Sequence, residues 1–540
     1  MKLPKLTINS TVMALLLAVY FTIFLNLAFF RHLHEIFSEL GDANIFFILT
    51  IPVFLITFFN VLFIPFTIKY FEKPFFIYLL ITGSLVNFAM YNYKVIFDQD
   101  MIDNILITNF AEASSYSNLT VFLWFGLTGL IPAVLLFFTK ITHYSFFKDI
   151  AVKTGSVLIS LIIVAIIAAF FYKDYASVIR NHKIVRKEIV PTYYMSSTYK
   201  YIKKNYFASN MEYTQLGTDA VKEEDGKDNL FVVIVGETAR AQNYEFGGYG
   251  RETNKYTKNI QNLTYYKNAT SCGTATAVSV PCMFSFMGKH DFNKQKARNQ
   301  DNLTDVLQRA GINTVWIDNN TGSQDVANNI PFIKVPRDKN EFCDGLVCQD
   351  SFLIGYLDDY IRDLKPENKE NVIFLHIMGS HGPTYYKRYP KDHEVFTPVC
   401  DKSDIQNCSD EEILNTYDNT ILFTDYVMAE IIDVLKKYDS KYDVSMLYFS
   451  DHGESLGEKG LYLHGVPYAI APAEQTHVPL ITWFSDKTVK TKKIDQSCLK
   501  QAAEKKHFSH DNLTHTILGM MGVKTSVYDQ KMDILNSCRG

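Results

Sequence analysis

Five apolar stretches, at about residues 11–30, 45–66, 74–93, 119–139 and 155–172, fill the first third of the chain. Each is near the ~20 residues that a helix needs to cross a hydrocarbon core about 30 Å thick. The pattern therefore predicts five transmembrane helices. The first stretch is long, shows no obvious small-residue cleavage site and is followed by further spans, so it reads as an uncleaved span. Lys2 and Lys5 precede span one, Lys69 and Lys73 separate spans two and three, and Lys140, Lys148 and Lys153 separate spans four and five. The other two loops carry only Arg31 and Lys94. Positive charge marks cytoplasmic loops, which predicts a cytoplasmic N-terminus and, after five spans, a C-terminal domain outside.

Beyond Lys173 the pattern changes twice. Residues 173–228 form a connector rich in Tyr and Lys (Tyr193, Tyr194, Tyr199, Lys200, Tyr201), suited to a membrane–water interface. The run from Glu223 to Asp228 reads as a solvated linker. From Leu230 apolar runs alternate with helical stretches. Leu230–Val235, Thr314–Ile317, Val372–Leu375 and Ser445–Phe449 are uninterrupted enough to be buried parallel strands. Asn302–Ala310, Ser351–Leu364 and Glu411–Lys437 are helical. This predicts an α/β catalytic domain at 229–540 around a mostly parallel sheet, behind a transmembrane domain at 1–172.

Composition adds two constraints. The formal net charge of −4 gives no basic bias toward nucleic acid. All eight cysteines lie after residue 270, an even number confined to the polar half. That points to disulfides in an oxidising compartment. Sequence neighbours are the expected pairs: Cys272 with Cys282, Cys343 with Cys348, Cys400 with Cys408, and by elimination Cys498 with Cys538.

Ligands on open α/β sheets collect at the carboxyl ends of strands. After the first run comes Glu237. After the third comes a stretch holding His381, and after the fourth come Asp451 and His452, with His464 further on. Carboxylates and imidazoles without thiolate suit zinc or manganese. A nucleophile candidate lies between Cys272 and Cys282, where a small-residue turn enters a helix. A hydroxyl there faces free N–H groups, and Thr274, Thr276 and Ser279 all qualify. In the membrane half, Asn104, Thr108 and Glu112 recur every four residues in the loop between spans three and four, one face of a helix. That face is either a solvated interfacial surface or a place to hold a lipid head group.

Four motifs carry a resemblance: VGETAR (235–240), SCGTATAVSVPCMFS (271–285), GSHGPTYYKRYP (379–390) and SDHGESLGEKGLYLHGVPYAIAP (450–472). With the five spans and the connector, they make the chain similar over nearly its whole length to the lipid A phosphoethanolamine transferases, which include the mobile colistin-resistance enzymes. The resemblance implies the alkaline phosphatase and sulfatase fold. It implies Thr276 as nucleophile, and Glu237, Asp451, His452 and the Thr276 oxygen as ligands of one zinc. His381 and His464 would contact the substrate phosphate or a second zinc, and Asn104, Thr108 and Glu112 would hold the lipid head group. It implies transfer of phosphoethanolamine from phosphatidylethanolamine to a lipid A phosphate, polymyxin resistance, and a monomer in a Gram-negative inner membrane with its catalytic domain in the periplasm. Some relatives carry a lysine near Gln324, so contacts to phosphate there differ. Three rivals are transfer to another envelope glycan, a phosphoglycerol transferase of the lipoteichoic acid synthase type, and a non-enzymatic envelope scaffold. A sulfatase is excluded by the lack of its C/S-x-P-x-R context.

Overall fold

The computed structural model describes residues 6–40, 44–108, 110–182, 184–206, 211–223, 226–345, 347–402 and 405–540. The chain divides into two compact units, one of residues 1–102 and 117–202, the other of residues 103–116 and 203–540.

The first unit is helical: α1 (Ser10–Phe24), α2 (Leu27–Leu40), α3 (Ile45–Phe63), α4 (Glu72–Tyr93), α5 (Gln99–Ile107), α6 (Phe110–Ser115), α7 (Leu119–Phe125), α8 (Ile131–Phe138), α9 (Phe146–Asn181) and α10 (Thr192–Tyr206), with most of α5 and all of α6 falling in the second unit. Among the described residues, four helices are long and apolar enough to cross a membrane, at 45–66, 72–93, 119–138 and 146–171. A fifth crossing is reached if the pair α1–α2, bent by 51°, counts as one span. The run expected as one uncleaved span at 11–30 is thus two helices with a bend between them. The break falls at Asn26, which is fully buried. Its amide donates to the carbonyls of Phe21 (2.9 Å) and Val190 (2.8 Å) and accepts from the Val190 N–H (2.9 Å). A side chain thereby satisfies backbone groups that the break leaves without helical partners. The last span begins at Phe146, not 155, because polar residues form its first turns. Asp149 and Lys153 pair one turn apart (2.7 Å), and Lys153 Nζ donates to the Thr67 carbonyl (2.8 Å). A scan for apolar residues cannot see a helix that continues past the apolar zone. The connector is not a separate body. It comprises the end of α9, helix α10 and a two-residue strand, Val221–Lys222, paired antiparallel with Val523–Lys524.

The second unit is built on seven strands: β1 (Asn229–Gly236), β2 (Leu263–Tyr266), β3 (Asn313–Asp318), β4 (Phe332–Lys334), β5 (Glu370–His376), β6 (Asp443–Ser450) and β7 (Leu480–Phe484). Their order is β2-β7-β6-β1-β5-β3-β4. Strands β6, β1, β5, β3 and β4 are mutually parallel, and β7 is antiparallel to both neighbours. Every residue of β1 and β6 is buried, which is why those runs show no polar alternation. The four predicted strands are β1, β3, β5 and β6. Helices cover the sheet, among them α11 (Thr276–Met283), α12 (Asp410–Lys437) and α13 (Leu513–Met520). Helix α12 starts with a reciprocal cap between Ser409 and Glu412 and ends on Lys436 and Lys437, charges that complement its dipole. All four expected disulfides are present: Cys272–Cys282, Cys343–Cys348, Cys400–Cys408 and Cys498–Cys538.

Candidate metal centre

The carboxyl ends of β1 and β6, adjacent parallel strands, deliver the central residues. Ser450 pairs in register with Gly236, so Glu237 and Asp451 leave the sheet side by side. Next to them β5 ends at His376, and the following turn approaches through Gly379. A Cβ at Gly379 would lie 2.5 Å from the Glu237 carbonyl oxygen, so only glycine fits that approach.

Glu237, Asp451 and His452 are completely buried. One ligand atom from each lies within 4.8 Å of the others. Their remaining atoms are held by the chain. Asp451 Oδ1 accepts the N–H groups of Thr238 (3.1 Å) and His452 (2.7 Å), while Oδ2 is buried with no hydrogen-bond partner. His452 Nδ1 lies 2.9 Å from the Gly453 carbonyl and donates to it, which leaves Nε2 facing both carboxylates, 3.4 Å from Glu237 Oε1 and from Asp451 Oδ2. Glu237 Oε1 accepts from the Thr238 hydroxyl (2.6 Å), and Oε2 from the Asn320 amide (2.7 Å).

The hydroxyl of Thr276, the first residue of α11, points into this cluster. It is 3.2 and 3.3 Å from the two Glu237 oxygens and 3.4 Å from His452 Nε2. The other hydroxyls of the turn are engaged elsewhere. Thr274 donates to the Val466 carbonyl (2.7 Å), and Ser279 accepts from the Gly273 N–H (2.9 Å). Local geometry therefore separates three hydroxyls that the sequence left equivalent.

Glu237, Asp451 and Asp318 face two imidazoles, His452 and His376, which leaves an excess of acids. Burial and the neighbouring Glu237 push Asp451 up to about 6. Burial presses His452 down, but Asp451 and Glu237 outweigh it and hold the imidazole at about 10. Burial pushes Glu237 up, yet His452, His381 and His376 together hold it well below the usual carboxylate range. An orphaned buried oxygen, convergent O and N donors and uncompensated negative charge fit a divalent cation.

The remaining expected residues divide. His381 and His464 are buried beside the cluster. Their ring centres are 5.3 Å apart, and that of His464 is 4.4 Å from that of His452. Asn104 lies in α5 and Thr108 just beyond it, with the Thr108 hydroxyl donating to the Asn104 carbonyl (2.8 Å). Glu112 belongs to α6, a separate short helix, and its side chain lies outside the described residues. The single helical stripe is therefore divided. Its segment packs within the catalytic unit, where Asp103, almost fully buried, pairs with Lys294. Gln324 lines a cavity of about 540 Å³ with Thr321, Ser323 and Arg298, and Arg298 pairs with Asp325 at 2.9 Å.

Sequence reasoning missed the layer behind the cluster. Glu454 takes the Tyr385 hydroxyl (2.5 Å) on one oxygen and His464 Nδ1 (2.8 Å) on the other. Asp318, at the end of β3, meets His376 Nδ1 at 2.9 Å. Glu454 stands two residues after His452 and was within reach of a motif reading. His376 ends β5, where the strand-end rule reaches it, while Asn320 and Asp318 were given no role and come to the cluster through the order of β3, β5 and β1.

A mostly parallel sheet whose carboxyl edge gathers such a cluster defines the sulfatase and alkaline phosphatase class, and the family model described as Sulfatase matches residues 229–523. A second model, described as Phosphoethanolamine transferase EptA/EptB, matches residues 55–206. The chain is 37% identical to phosphoethanolamine transferase EptA of Escherichia coli K12 over 99% of its length and 98% of that protein. It is 34% identical to phosphatidylethanolamine transferase Mcr-1 of Escherichia coli, over 96% of each. The solved integral membrane lipooligosaccharide phosphoethanolamine transferase A of Neisseria meningitidis superposes with a TM-score of 0.94 and 35% identity, covering 99% of this chain and 100% of that one. The chain belongs to the EptA family of phosphoethanolamine transferases, and the phosphoglycerol-transferase and scaffold readings are set aside.

Proposed function

We infer that the protein transfers phosphoethanolamine from phosphatidylethanolamine to a phosphate of lipid A through a phospho-threonine on Thr276, and that this transfer lowers binding of polymyxin to the cell surface. Phosphatidylethanolamine as donor and lipid A as acceptor are what the resemblance to the lipid A phosphoethanolamine transferases implies. The observation that carries the chemistry is the Thr276 hydroxyl at 3.2 Å from Glu237 and 3.4 Å from His452 in a fully buried cluster. The donor set suits zinc, held by Glu237, Asp451, His452 and the Thr276 oxygen, with His381 and His464 available to a second ion. Bound there, zinc would supply Lewis acidity and neutralise charge on the transferring group. We assign residues 1–172 to the inner-membrane anchor, with a cytoplasmic N-terminus and the catalytic domain from 229 in the periplasm. The lysine pattern of the loops and the four disulfides support that orientation. The working unit is a monomer.

The reaction is a double displacement. Thr276 Oγ1 gives its proton to Glu237, 3.2 Å away, and attacks phosphorus; the bond to the diacylglycerol oxygen breaks, phosphoethanolamine stays on Thr276, and the proton returns to the Thr276 oxygen when it leaves in the second step. His381 or His464 gives a proton to the departing diacylglycerol alkoxide. A lipid A phosphate oxygen then attacks the same phosphorus, and the Thr276 oxygen leaves. Helix α11 offers its free N–H groups to the bound phosphoryl oxygens. Asn104, Thr108 and Glu112 bind the ethanolamine and phosphate of the lipid head group.

Intact-mass analysis tests the central step. Wild-type protein incubated with phosphatidylethanolamine should gain one phosphoethanolamine. Thr276→Ala should gain none and lose transfer altogether, at an unchanged melting temperature. An active Thr276→Ala protein sinks the intermediate. For the loop, Glu112→Ala should lower transfer to lipid A about tenfold, the loss of one charge-assisted hydrogen bond, while hydrolysis of a small soluble phosphodiester stays within twofold. Equal losses on both substrates reject the head-group role.

A further inference from the structure

Thr276 and the pair Asp451–His452 come from different parts of the chain, and catalysis depends on the distance between them. Two backbone segments set that distance. One is the turn from Cys272 into α11, tied at its far end by the Cys272–Cys282 disulfide. The other is the end of β6 at Ser450. His510 lies between the two. Its Nδ1 is 3.0 Å from the Cys272 N–H, and its Nε2 is 2.9 Å from the Ser450 carbonyl. A backbone N–H can only donate and a carbonyl can only accept. Both bonds therefore exist at once in one form of the ring, the neutral Nε2–H tautomer. Burial keeps the ring neutral, pushing it down to about 3. The ring is completely buried and stands edge-on to Phe449, at 4.5 Å between ring centres and 84° between planes. Ser450 is itself fixed at its side chain: its hydroxyl donates to the His452 carbonyl (3.0 Å) and accepts from the Ala239 N–H (2.9 Å). The His510 backbone is held by the reciprocal cap of Ser509 and Asn512 that leads into α13.

We propose that His510 is a positioning residue that sets the spacing between the Thr276 hydroxyl and the Asp451–His452 pair by joining the two backbones that carry them. It touches neither substrate nor ligand atoms. It differs from a core histidine that merely satisfies itself, because its two bonds end on the residue that opens the nucleophile turn and on the residue just before Asp451. The inference rests on Thr276 being the nucleophile.

The test uses the full-length protein in nanodiscs containing phosphatidylethanolamine. Three variants are compared with wild type. His510→Phe keeps the ring against Phe449 and removes both bonds. His510→Asn puts an acceptor where Nδ1 stood, and His510→Gln puts a donor where Nε2 stood. Each is read for bound zinc, for KM and for the rate of phosphoethanolamine adduct formation on Thr276, well below its own melting temperature. His510→Phe should keep its zinc and a KM within twofold, and lose about 100-fold in adduct formation, the cost of a reacting group misplaced by about 1 Å. The Asn and Gln variants should fall between. A wild-type rate in folded, zinc-loaded His510→Phe overturns the proposal, because the residue is then structural only. So does a loss of zinc in step with the rate. Should His510→Phe fail to fold, the Asn and Gln variants carry the test, and wild-type rates in both overturn it. Absence of any adduct on the wild-type protein rejects the nucleophile reading itself, a result distinct from all of these.

Discussion

Each unit of the protein buries carboxylates, and the two treat them differently. In the membrane unit Glu72, at the start of α4, is buried and meets His143 Nε2 at 2.9 Å, one acid to one imidazole. In the catalytic unit Glu237, Asp451 and Asp318 face two imidazoles, His452 and His376, three acids to two imidazoles. Both sets of acids are buried, but their local charge balance differs. A buried charge without compensation costs several kcal/mol, so a fold that retains one points to a ligand that completes it. Glu72 Oε2 and Asp451 Oδ2 both lack a hydrogen bond, so the difference lies in the count of acids and imidazoles, and the excess of acids at the sheet edge calls for a cation.

Removing that excess is the most direct way to break the contrast. Asp451→Asn keeps the shape and takes away one charge. Bound zinc should be lost, and transfer should drop about 1,000-fold, as expected when a principal electrostatic stabiliser is removed. In chelated samples the same variant should melt no lower than wild type, because the repulsion between two buried carboxylates has been relieved. Zinc analysis and calorimetry check this. A chelated variant that melts far below chelated wild type shows that Asp451 serves stability and not a cation.

A smaller, graded effect comes from pH. Without metal, His452 is held at about 10 against an ordinary 6.5. Its contribution to stability is complete below pH 6.5 and fades as pH rises toward 10. Asp451, raised to about 6 from 3.8, acts in the same direction at lower pH: the folded state keeps its proton longer, so stability falls between those values. Glu237 is depressed, and its contribution is lost only as pH falls below the ordinary carboxylate range. Zinc requires His452 neutral and Asp451 ionised, so the loaded protein does not share these losses. The gap in melting temperature between zinc-loaded and chelated protein should therefore widen from pH 6 to pH 9. A gap that narrows shows that the carboxylates and His452 are not the groups that hold the ion.

How much of this was legible in the sequence follows the range of the interactions. Glu237, Asp451 and His452 follow strands that are buried along their whole length, and the strand-end rule brings them together. The cysteine pairs are near neighbours, with Cys498–Cys538 left as the remainder. Thr276 is harder: nothing in the turn separates its hydroxyl from those of Thr274 and Ser279, which find partners at Val466 and Gly273 only in the folded chain. His376 closes the third apolar run, within reach of the same rule, whereas Asp318 and His510 act through partners distant in sequence, His376 for the one and Cys272 and Ser450 for the other. In the membrane half the five apolar runs read well. The bend at Asn26 did not, because the backbone groups its side chain satisfies include those of Val190, 164 residues away. The stripe Asn104–Thr108–Glu112 had the right period, but the period cannot reveal that α5 ends at Ile107.

The same chemical change made at Glu72 should do little, and that sharpens the comparison. Glu72→Gln also turns a buried carboxylate into an amide. Here, however, a neutral His143 can donate its Nε2–H to the glutamine oxygen, so the hydrogen bond survives the loss of charge. The expected cost is about 1 kcal/mol, the difference between a charge-assisted and a neutral bond. Zinc content should be unchanged, and transfer should stay within twofold. His143→Leu tests the other half of the pair, because it leaves the Glu72 carboxylate buried and alone. That variant should lose about 3 kcal/mol or more, seen as a lower melting temperature of the full-length protein in nanodiscs, with Glu72→Gln added on top recovering much of it. Should Glu72→Gln instead strip zinc or transfer, charge balance is not what distinguishes the two sites, and an uncompensated buried carboxylate is no sign of a bound cation.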